Sequence, residues 1–260
     1  MLEGKRIFIS GGAGFIGTTL ARELVDRNEV VAYDNLHRDS LSDTELGDHP
    51  NFTLVQGDIL DADAFRVAAD GATHFVHCAA IAGVDTVLQS PVRVMRVNVI
   101  GTYNALEAAL STLPTVERYV DFSTSEVFGT HALNVEEGHV STIGSVGEAR
   151  WTYAVSKLAG EHMAHAYHDE LGLPTVTVHP FNIGNPRGAV TIYDLAQRIK
   201  RLSGAQGDIV FQPLHYADVE LRIPNVKKAR EVLGWEPAVE LDEGLEKTIA
   251  WYRAKAPASA

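Results

Sequence analysis

Near the N-terminus the chain reads Lys5-Arg6-Ile7-Phe8-Ile9-Ser10-Gly11-Gly12-Ala13-Gly14-Phe15-Ile16-Gly17. An apolar strand thus runs directly into Gly11, Gly14 and Gly17, with two residues between successive glycines. In a strand–turn–helix unit, the first glycine permits a tight turn and the second lets the backbone approach a pyrophosphate. The third lets the helix pack closely on the strand, and the N–H groups at the helix start face the phosphates. The pattern predicts a dinucleotide-binding βαβ unit.

A second strand, over residues 29–34, ends in Asp34. An acid at this point accepts hydrogen bonds from the ribose hydroxyls of a dinucleotide and repels a 2′-phosphate. Glycine-rich turns alone are common, but here the preceding strand, the amphipathic helix predicted over 15–27 and the acid all agree. We therefore predict NAD, rather than NADP, as the cofactor.

Strand-like and helix-like segments alternate along the chain, which is typical of a parallel sheet with helices on both faces. The predicted strands span 7–10, 30–33, 52–56, 74–77, 119–122 and 175–178, and the helices between them span 62–69, 92–110 and 153–171. The predicted fold class is α/β, with a Rossmann-type doubly wound parallel sheet over residues 1–180. A small, mostly helical, reduced substrate-binding cap is predicted over 181–260, with helices at 194–202, 225–233 and 242–253. The segment 129–150, rich in Gly, Ser, Thr and Glu, predicts a surface loop beside the site.

Composition narrows the classes of partner. The chain has 260 residues, a formal net charge of −12 and one cysteine, Cys78. The negative charge argues against nucleic acid or an anionic membrane as the main partner. The single cysteine excludes an internal disulfide framework and fits a reducing compartment. With no leader before the first strand and no apolar run of membrane-spanning length, we expect a cytoplasmic protein. We also expect a small-molecule substrate. No metal site is expected, because His162, His165 and His168 would fan around the surface of their predicted helix.

Tyr153 and Lys157 are four residues apart on a predicted helix, so their side chains share one face. An ammonium beside a phenol favours the phenolate. Lowering the pKa of a tyrosine from about 10 to near neutral pH requires a shift of about three pKa units, or roughly 4 kcal/mol. Such a tyrosinate could take a proton from a substrate hydroxyl while hydride leaves the same carbon for NAD. The alternative is a tyrosine packed on a helix beside a solvated lysine.

Thr124 and Glu126 follow a predicted strand, and the carboxyl ends of strands are where α/β sheets bind ligands. Thr124 could hydrogen-bond the reacting oxygen, and Glu126 supplies a carboxylate that could act on a carbon acid. The alternative for Glu126 is a solvated or capping acid.

Together these motifs resemble those of the extended short-chain dehydrogenase/reductases, the NAD-dependent epimerase/dehydratase group that acts on nucleotide sugars. The matching residues, in order and spacing, are Gly11, Gly14, Gly17, Asp34, 57–59, 77–80, Asn98, Thr124, Tyr153, Lys157 and 180–182. The resemblance implies catalytic roles for Thr124, Glu126, Tyr153 and Lys157. It implies cofactor contacts from Gly11, Gly14, Phe15, Ile16, Gly17, Asp34, Asn35, Asp58, Ile59, Ala79, Ala80, Asn98, Tyr153, Lys157 and Pro180. Substrate contacts are expected from Ser125, Asn182 and Arg222.

The resemblance also implies a redox-neutral reaction, in which hydride moves from a sugar to NAD and then returns. The trio Thr124-Ser125-Glu126 is similar to that of nucleotide-sugar 4,6-dehydratases and UDP-glucuronate decarboxylases, so dehydration is the leading expectation. A 4-epimerase and a decarboxylase are the enzymatic alternatives, and an NAD-binding regulatory or scaffold protein is the non-enzymatic one. The family resemblance further implies a homodimer formed by the helices at 92–110 and 153–171.

The resemblance resumes at 183–186 and continues through 219–224 to 233–237, but a block that relatives carry between Asn182 and Ile183 is missing. In relatives that block helps to hold the nucleotide. We therefore expect a smaller or less tightly held substrate, a nucleoside or simple sugar derivative rather than a full nucleotide sugar.

Overall fold

The computed structural model describes residues 2–181, 189–216 and 218–255. It contains a parallel sheet of six strands, in the order β3-β2-β1-β4-β5-β7. These strands are β1 Arg6–Ser10, β2 Glu29–Asp34, β3 Phe52–Gln56, β4 His74–His77, β5 Arg118–Phe122 and β7 Thr175–Val178. After β3 the chain crosses to the other side of β1, so the strand order reverses between β1 and β4. Ligands bind at such a reversal in open α/β sheets. The predicted Rossmann-type doubly wound sheet is confirmed.

Helices connect the strands of this sheet. They are α1 Phe15–Leu24, α2 Ala62–Ala68, α3 Val84–Gln89, α4 Pro91–Met95, α5 Gly101–Ser111 and α6 Thr152–Leu171. The single helix predicted over 92–110 is interrupted, because a π-helical turn at Arg96–Ile100 separates α4 from α5. Short 3₁₀ turns lie at Leu46–Asp48, Ser125–Phe128 and Ala149–Trp151.

The inner strands β1, β2 and β4 are buried on both faces, as is typical of parallel sheets. Along β1, Phe8 belongs to one apolar cluster, with Phe65 of α2 and Leu106 of α5. Its neighbours Ile7 and Ile9 belong to the opposite cluster, which includes residues of α1. Because successive side chains of a strand point to opposite faces, one apolar run supplies both cores. This packing fixes the carboxyl ends of the strands, where the predicted site residues lie.

Contacts divide the chain into two units, one of residues 1–129 and 141–180 and one of 130–140 and 181–260. Within the second unit, β6 His131–Val135 pairs in parallel with β8 Leu221–Pro224. Its helices are α7 Ile192–Ser203, α8 Lys227–Leu233 and α9 Leu241–Lys255. Asp242 of α9 holds Arg198 and Arg201 of α7, each at 2.7 Å, which ties these two helices together.

The prediction of a loop over 129–150 is wrong at residues 131–135, which form β6. The sequence shows no local signal for this strand, because its hydrogen-bonding partner, β8, lies far along the chain. Among the described residues, no helix combines the length and apolar character that crossing a bilayer requires.

Candidate active site

The glycine turn after β1 is packed against the end of β4. Gly11 has φ +71°, and a Cβ there would lie 2.7 Å from the backbone nitrogen of Ala79. A Cβ on Gly17 would overlap the carbonyl oxygen of Gly11. Only glycine fits at either position. At Gly11 both the left-handed backbone and the close approach require it, and at Gly17 the close approach alone does. The turn therefore brings two sets of predicted cofactor residues, from β1 and β4, into contact.

The start of α1 is open. Gly14 is its N-cap, so no side chain caps the helix, and its first turn contains no acidic residue. Phe15 and Ile16 leave 77% and 43% of their surface exposed at this end. Uncapped N–H groups and the positive end of the helix dipole suit an anionic group such as a pyrophosphate.

Asp34 is held at the carboxyl end of β2 by two backbone donors. Its Oδ2 accepts from the N–H of Ala13 at 3.1 Å, and its Oδ1 accepts from that of Leu36 at 2.7 Å. A carboxylate oxygen can accept more than one hydrogen bond, so the oriented Asp34 can still receive ribose hydroxyls. The adjacent Asn35 is exposed.

The residues predicted to flank an adenine follow β3, the strand beside β2. The carbonyl of Asp58 accepts the hydroxyl of Tyr33 at 3.1 Å. Ile59 is buried, and its carbonyl accepts from Asn104 of α5 at 2.8 Å. The glycine cradle, the uncapped helix start and the oriented acid together fit a dinucleotide at this edge of the sheet.

Asn98, in the π-helical turn, joins the loop after β4 to α6. Its Oδ1 accepts from the N–H of Ile81 at 2.8 Å, and its Nδ2 donates to the carbonyl of Ile81 at 3.1 Å. The same Nδ2 donates to Ser156 Oγ at 2.9 Å. These bonds make Asn98 a link between Ile81 and Ser156, whereas the family resemblance implies a direct cofactor contact. That contact stays a prediction, as does the one expected from Pro180.

Tyr153 and Lys157 lie in the first two turns of α6. Lys157 is only 2% exposed, whereas Tyr153 is partly exposed. The alternative of a solvated lysine is therefore wrong. A buried ammonium costs free energy unless other groups compensate it, so its burial one turn from a phenol requires a specific electrostatic setting.

Thr124 follows β5 and caps the 3₁₀ turn Ser125–Phe128. Its hydroxyl oxygen accepts the N–H of Glu126 at 3.3 Å. This turn packs against α6, the helix of Tyr153 and Lys157. Ser125 is 2% exposed, and its N–H donates to the carbonyl of Pro180 at 3.3 Å. The substrate contact predicted for Ser125 stays a prediction.

Arg150 binds both carboxylate oxygens of Glu126. The Nη1–Oε2 distance is 2.7 Å and the Nη2–Oε1 distance is 3.2 Å. The two side chains are 4% and 13% exposed, and the guanidinium lies 5.4 Å from the ring centre of Trp151. Glu126 is therefore not simply a solvated acid, although its N–H is part of the capped turn. Sequence reasoning missed Arg150, whose one signal was its position three residues before Tyr153.

The other two predicted substrate residues are Asn182 and Arg222. Asn182 falls outside the described residues. Arg222 lies on β8 of the second unit, opposite Ala132 of β6. Within the ranges that the structure describes, no group of three or more His, Cys, Asp or Glu side chains could hold a metal ion.

Comparison with known proteins gives concordant results. The family model "NAD dependent epimerase/dehydratase family" matches residues 7–209. UDP-glucuronic acid decarboxylase 1 of Xenopus tropicalis is 29% identical over 318 residues, covering 96% of this chain and 72% of that protein. UDP-N-acetyl-alpha-D-glucosaminuronate decarboxylase of Bacillus cytotoxicus is 28% identical, covering 96% of this chain and 98% of that protein.

Among solved structures, UDP-N-acetylglucosamine 4-epimerase from Methanobrevibacter ruminantium has a TM-score of 0.86 at 19% identity, covering 98% of this chain and 100% of that one. UDP-glucuronic acid 4-epimerase from Bacillus cereus, in complex with UDP-glucuronic acid and NAD, has a TM-score of 0.82 at 21% identity, covering 96% and 99%. At these identities the structures share the fold. The sequence match shows that the chain belongs to the NAD dependent epimerase/dehydratase family, whose cofactor is the NAD predicted from Asp34.

Proposed function

We propose that the chain is an enzyme that modifies a sugar by transient oxidation, with no net change in redox state. One observation carries this proposal: a buried Lys157 and a partly exposed Tyr153 share α6, against which the turn bearing Thr124 and Glu126 packs. The dinucleotide cradle lies at the same edge of the sheet. When bound there, NAD would accept a hydride from a sugar carbon and later return it.

The remaining steps, proton transfer and positioning of the substrate and cofactor, are carried out by residues of the chain. The Tyr153 oxygen takes the proton of the sugar hydroxyl whose carbon is oxidised, and it gives a proton back when that carbon is reduced. The Lys157 ammonium stabilises the tyrosinate. The Thr124 hydroxyl donates to the same sugar oxygen and orients it. The dinucleotide is positioned relative to the reacting sugar carbon by Gly11, Gly17 and Asp34.

We further propose that the reaction is the decarboxylation of a sugar acid, because Arg150 binds both carboxylate oxygens of Glu126. Once a ring hydroxyl has become a ketone, a carboxylate on the adjacent carbon can leave as CO₂. The electron pair of the broken C–C bond then passes into the carbonyl as an enolate, and the carbon is protonated afterwards. This sequence needs no base to remove a C–H proton. The two relatives described above, both decarboxylases of UDP-linked sugar acids, support this choice.

Dehydration, which the sequence favours, is the second candidate because Glu126 and Thr124 are both present in the capped turn. It requires a base that removes a proton from the carbon next to the ketone. Both oxygens of Glu126 already accept from Arg150, so in dehydration the carboxylate would take the carbon-bound proton through a remaining lone pair or after this ion pair opens.

The size of the substrate is a separate proposal. The alignment with the Xenopus tropicalis protein runs to 318 residues, although this chain has 260, so that protein contains residues with no counterpart here. This supports the prediction of a missing nucleotide-holding block and hence of a smaller or less tightly held substrate. Charged hydrogen bonds to a diphosphate contribute about 1.5–3 kcal/mol each, so a chain without that block should bind UDP or TDP weakly. Micromolar or tighter binding of either nucleotide in calorimetry would contradict the proposal of a smaller substrate.

We also propose a cytoplasmic location, which the single cysteine supports.

Incubation with NAD and a panel of free and UDP-linked sugars and sugar acids in deuterated water tests the reaction. Decarboxylation predicts CO₂ release and one deuterium on the ring carbon that carried the carboxylate. Loss of water with deuterium next to the ketone would identify a dehydratase instead. An epimer without solvent deuterium would identify an epimerase. NAD binding with no turnover on any member would favour a regulatory or scaffold protein.

A further inference from the structure

Asp121 is a buried acid for which the reaction proposed above has no use. It lies in β5 with no exposed surface, and neither carboxylate oxygen accepts a hydrogen bond from the described residues. Buried polar groups are nearly always hydrogen-bonded, and an uncompensated buried carboxylate is costly. Its environment must therefore supply either a proton or a nearby positive charge.

The side chain of Asp121 faces α6. Its Oδ2 lies 3.9 Å from the point that a Cβ on Gly160 would occupy. Lys157 precedes Gly160 by three residues, so it lies on the same face of α6 one turn earlier. Lys157 is 2% exposed. A buried acid and a buried ammonium thus share one layer between β5 and α6.

The basic groups beside Asp121 are bound to other partners. His77, its register neighbour on β4, has Nδ1 at 2.7 Å from Ser10 Oγ and Nε2 at 3.0 Å from Thr102 Oγ1. His179, after β7, has Nε2 at 3.0 Å from Glu161. Lys157 is therefore the cation available to compensate Asp121.

Asp121 and Lys157 lie close enough for their charges to influence each other. Burial raises the pKa of the Asp121 carboxyl above its usual range, and the Lys157 ammonium is the next largest influence and acts in the opposite direction. Glu161 raises that pKa and His179 lowers it. Burial also raises the pKa of the Cys78 thiol to about 12, with Lys157 opposing and Asp121 adding to the rise. The pKa of Tyr119 is raised, mainly by burial and secondly by the charge of Asp121. The pKa of His77 is lowered, mainly by burial and secondly by the charge of Lys157.

We propose that Asp121 is the buried counter-ion of Lys157 and thereby sets the pH range in which Tyr153 gives up its proton. Asp121 is a positioning residue, because it acts through Lys157 and needs no contact with substrate. The inference rests on the proposed function of Tyr153 and Lys157. An ionised Asp121 offsets part of the positive charge that the Lys157 ammonium presents to Tyr153, and this reduces the stabilisation of a tyrosinate. Its removal should therefore lower the pH at which Tyr153 ionises.

Near-ultraviolet absorbance of tyrosinate tests this without substrate. The chain has eight tyrosines, so the difference between the titrations of the NAD-loaded full chain with and without Tyr153→Phe isolates Tyr153. In Asp121→Asn, that difference curve should move to lower pH by about one unit. Asp169→Asn is the matched control, because it removes an equal charge from an exposed position near the end of the same helix, and it should leave the curve in place.

A folded Asp121→Asn with an unmoved curve would overturn the proposal, since the acid would then be neutral or screened from Tyr153. A double-mutant cycle between Asp121→Leu and Lys157→Met in urea unfolding gives a second measurement. We expect Asp121→Leu to lower the urea midpoint in the natural chain and to be nearly neutral in Lys157→Met. Additive effects, or misfolding of both Asp121 variants that Lys157→Met does not rescue, would overturn the counter-ion role. Because neither measurement needs turnover, both remain readable if no sugar is converted and the proposed function fails.

Discussion

Arg150 grips Glu126 through two parallel hydrogen bonds in a nearly solvent-free position beside the 3₁₀ turn that follows β5. Bidentate guanidinium–carboxylate pairs are among the stronger protein hydrogen bonds and fix orientation as well as charge. The pair therefore determines where the Glu126 carboxylate points relative to Thr124. It also couples the segment before α6 to the end of β5.

Removing one partner of this pair should be costly, because the other charge remains buried without compensation. We expect Arg150→Met to destabilise the chain by about 3 kcal/mol in urea unfolding. Adding Glu126→Gln should restore part of the loss, since the orphaned charge is then gone. Arg150→Lys keeps the charge but loses the fork, so an intermediate loss is expected. If all three variants unfolded like the natural chain, the pair would contribute nothing to stability.

Asp34 should select the cofactor. We expect calorimetry to show tighter binding of NAD than of NADP, because the carboxylate held by Ala13 and Leu36 opposes a 2′-phosphate. Asp34→Ala should narrow the difference between the two affinities. Asp39→Ala removes an acid a few residues further on and serves as the control. Tighter binding of NADP to the natural chain would refute the assignment of Asp34.

Tyr153→Phe should abolish turnover and spare both the fold and NAD binding, because only the hydroxyl of a partly exposed side chain is lost. A positioned acid–base group contributes about 10²–10⁴-fold to rate, so a loss of at least this size is expected with any sugar that the natural chain converts. Tyr167→Phe is a matched control on the same helix, since its hydroxyl bonds Glu107. Activity of Tyr153→Phe near that of the natural chain would exclude Tyr153 as the base.

The six strands of the central sheet were predictable to within one residue at each end, because each is a short run rich in β-branched or aromatic residues. Structure that depends on long-range contacts could not be predicted from the sequence. β6 depends on pairing with β8, and the π-helical turn within 91–111 coincides with the tertiary hydrogen bonds of Asn98. Neither has a local sequence signature.

The glycine turn, Asp34 and the spacing of Tyr153 and Lys157 identified the candidate site from residue types alone. The partner of Glu126 could not be predicted, because Arg150 lies in a polar segment where charged residues are expected to be solvated. Asp121 was equally invisible, since a single acid within an apolar strand does not show which helix face covers it. Burial and ion pairing of these two residues depend on α6 and the segment before it.

The Cys78 thiol should make stability fall at alkaline pH. Its pKa is raised from 9.0 to about 12, chiefly by burial, so the folded chain keeps the thiol neutral where the unfolded chain ionises. The resulting stabilisation is fully present below the unfolded pKa and is lost as pH rises from about 9 towards the folded value. The slope is at most about 1.4 kcal/mol per pH unit. Cys78→Ala should lose less stability over this range in urea unfolding. Parallel pH profiles for the two chains would contradict the raised pKa.

Finally, we expect a homodimer in which α4, α5 and α6 of two copies meet around a two-fold axis. These helices expose apolar side chains, with Val92 at 80%, Tyr103 at 48% and Val155 at 42% of their surface. Exposed apolar side chains on neighbouring helices favour association, because burying them together removes that surface from water. Sedimentation at micromolar concentration should show a dimer, and Tyr103→Glu combined with Val155→Glu should yield a folded monomer, since like charges on a self-complementary interface repel. Val232→Glu, at a more exposed position on α8 of the second unit, should leave the dimer intact. A natural chain that sediments as a monomer would refute this arrangement.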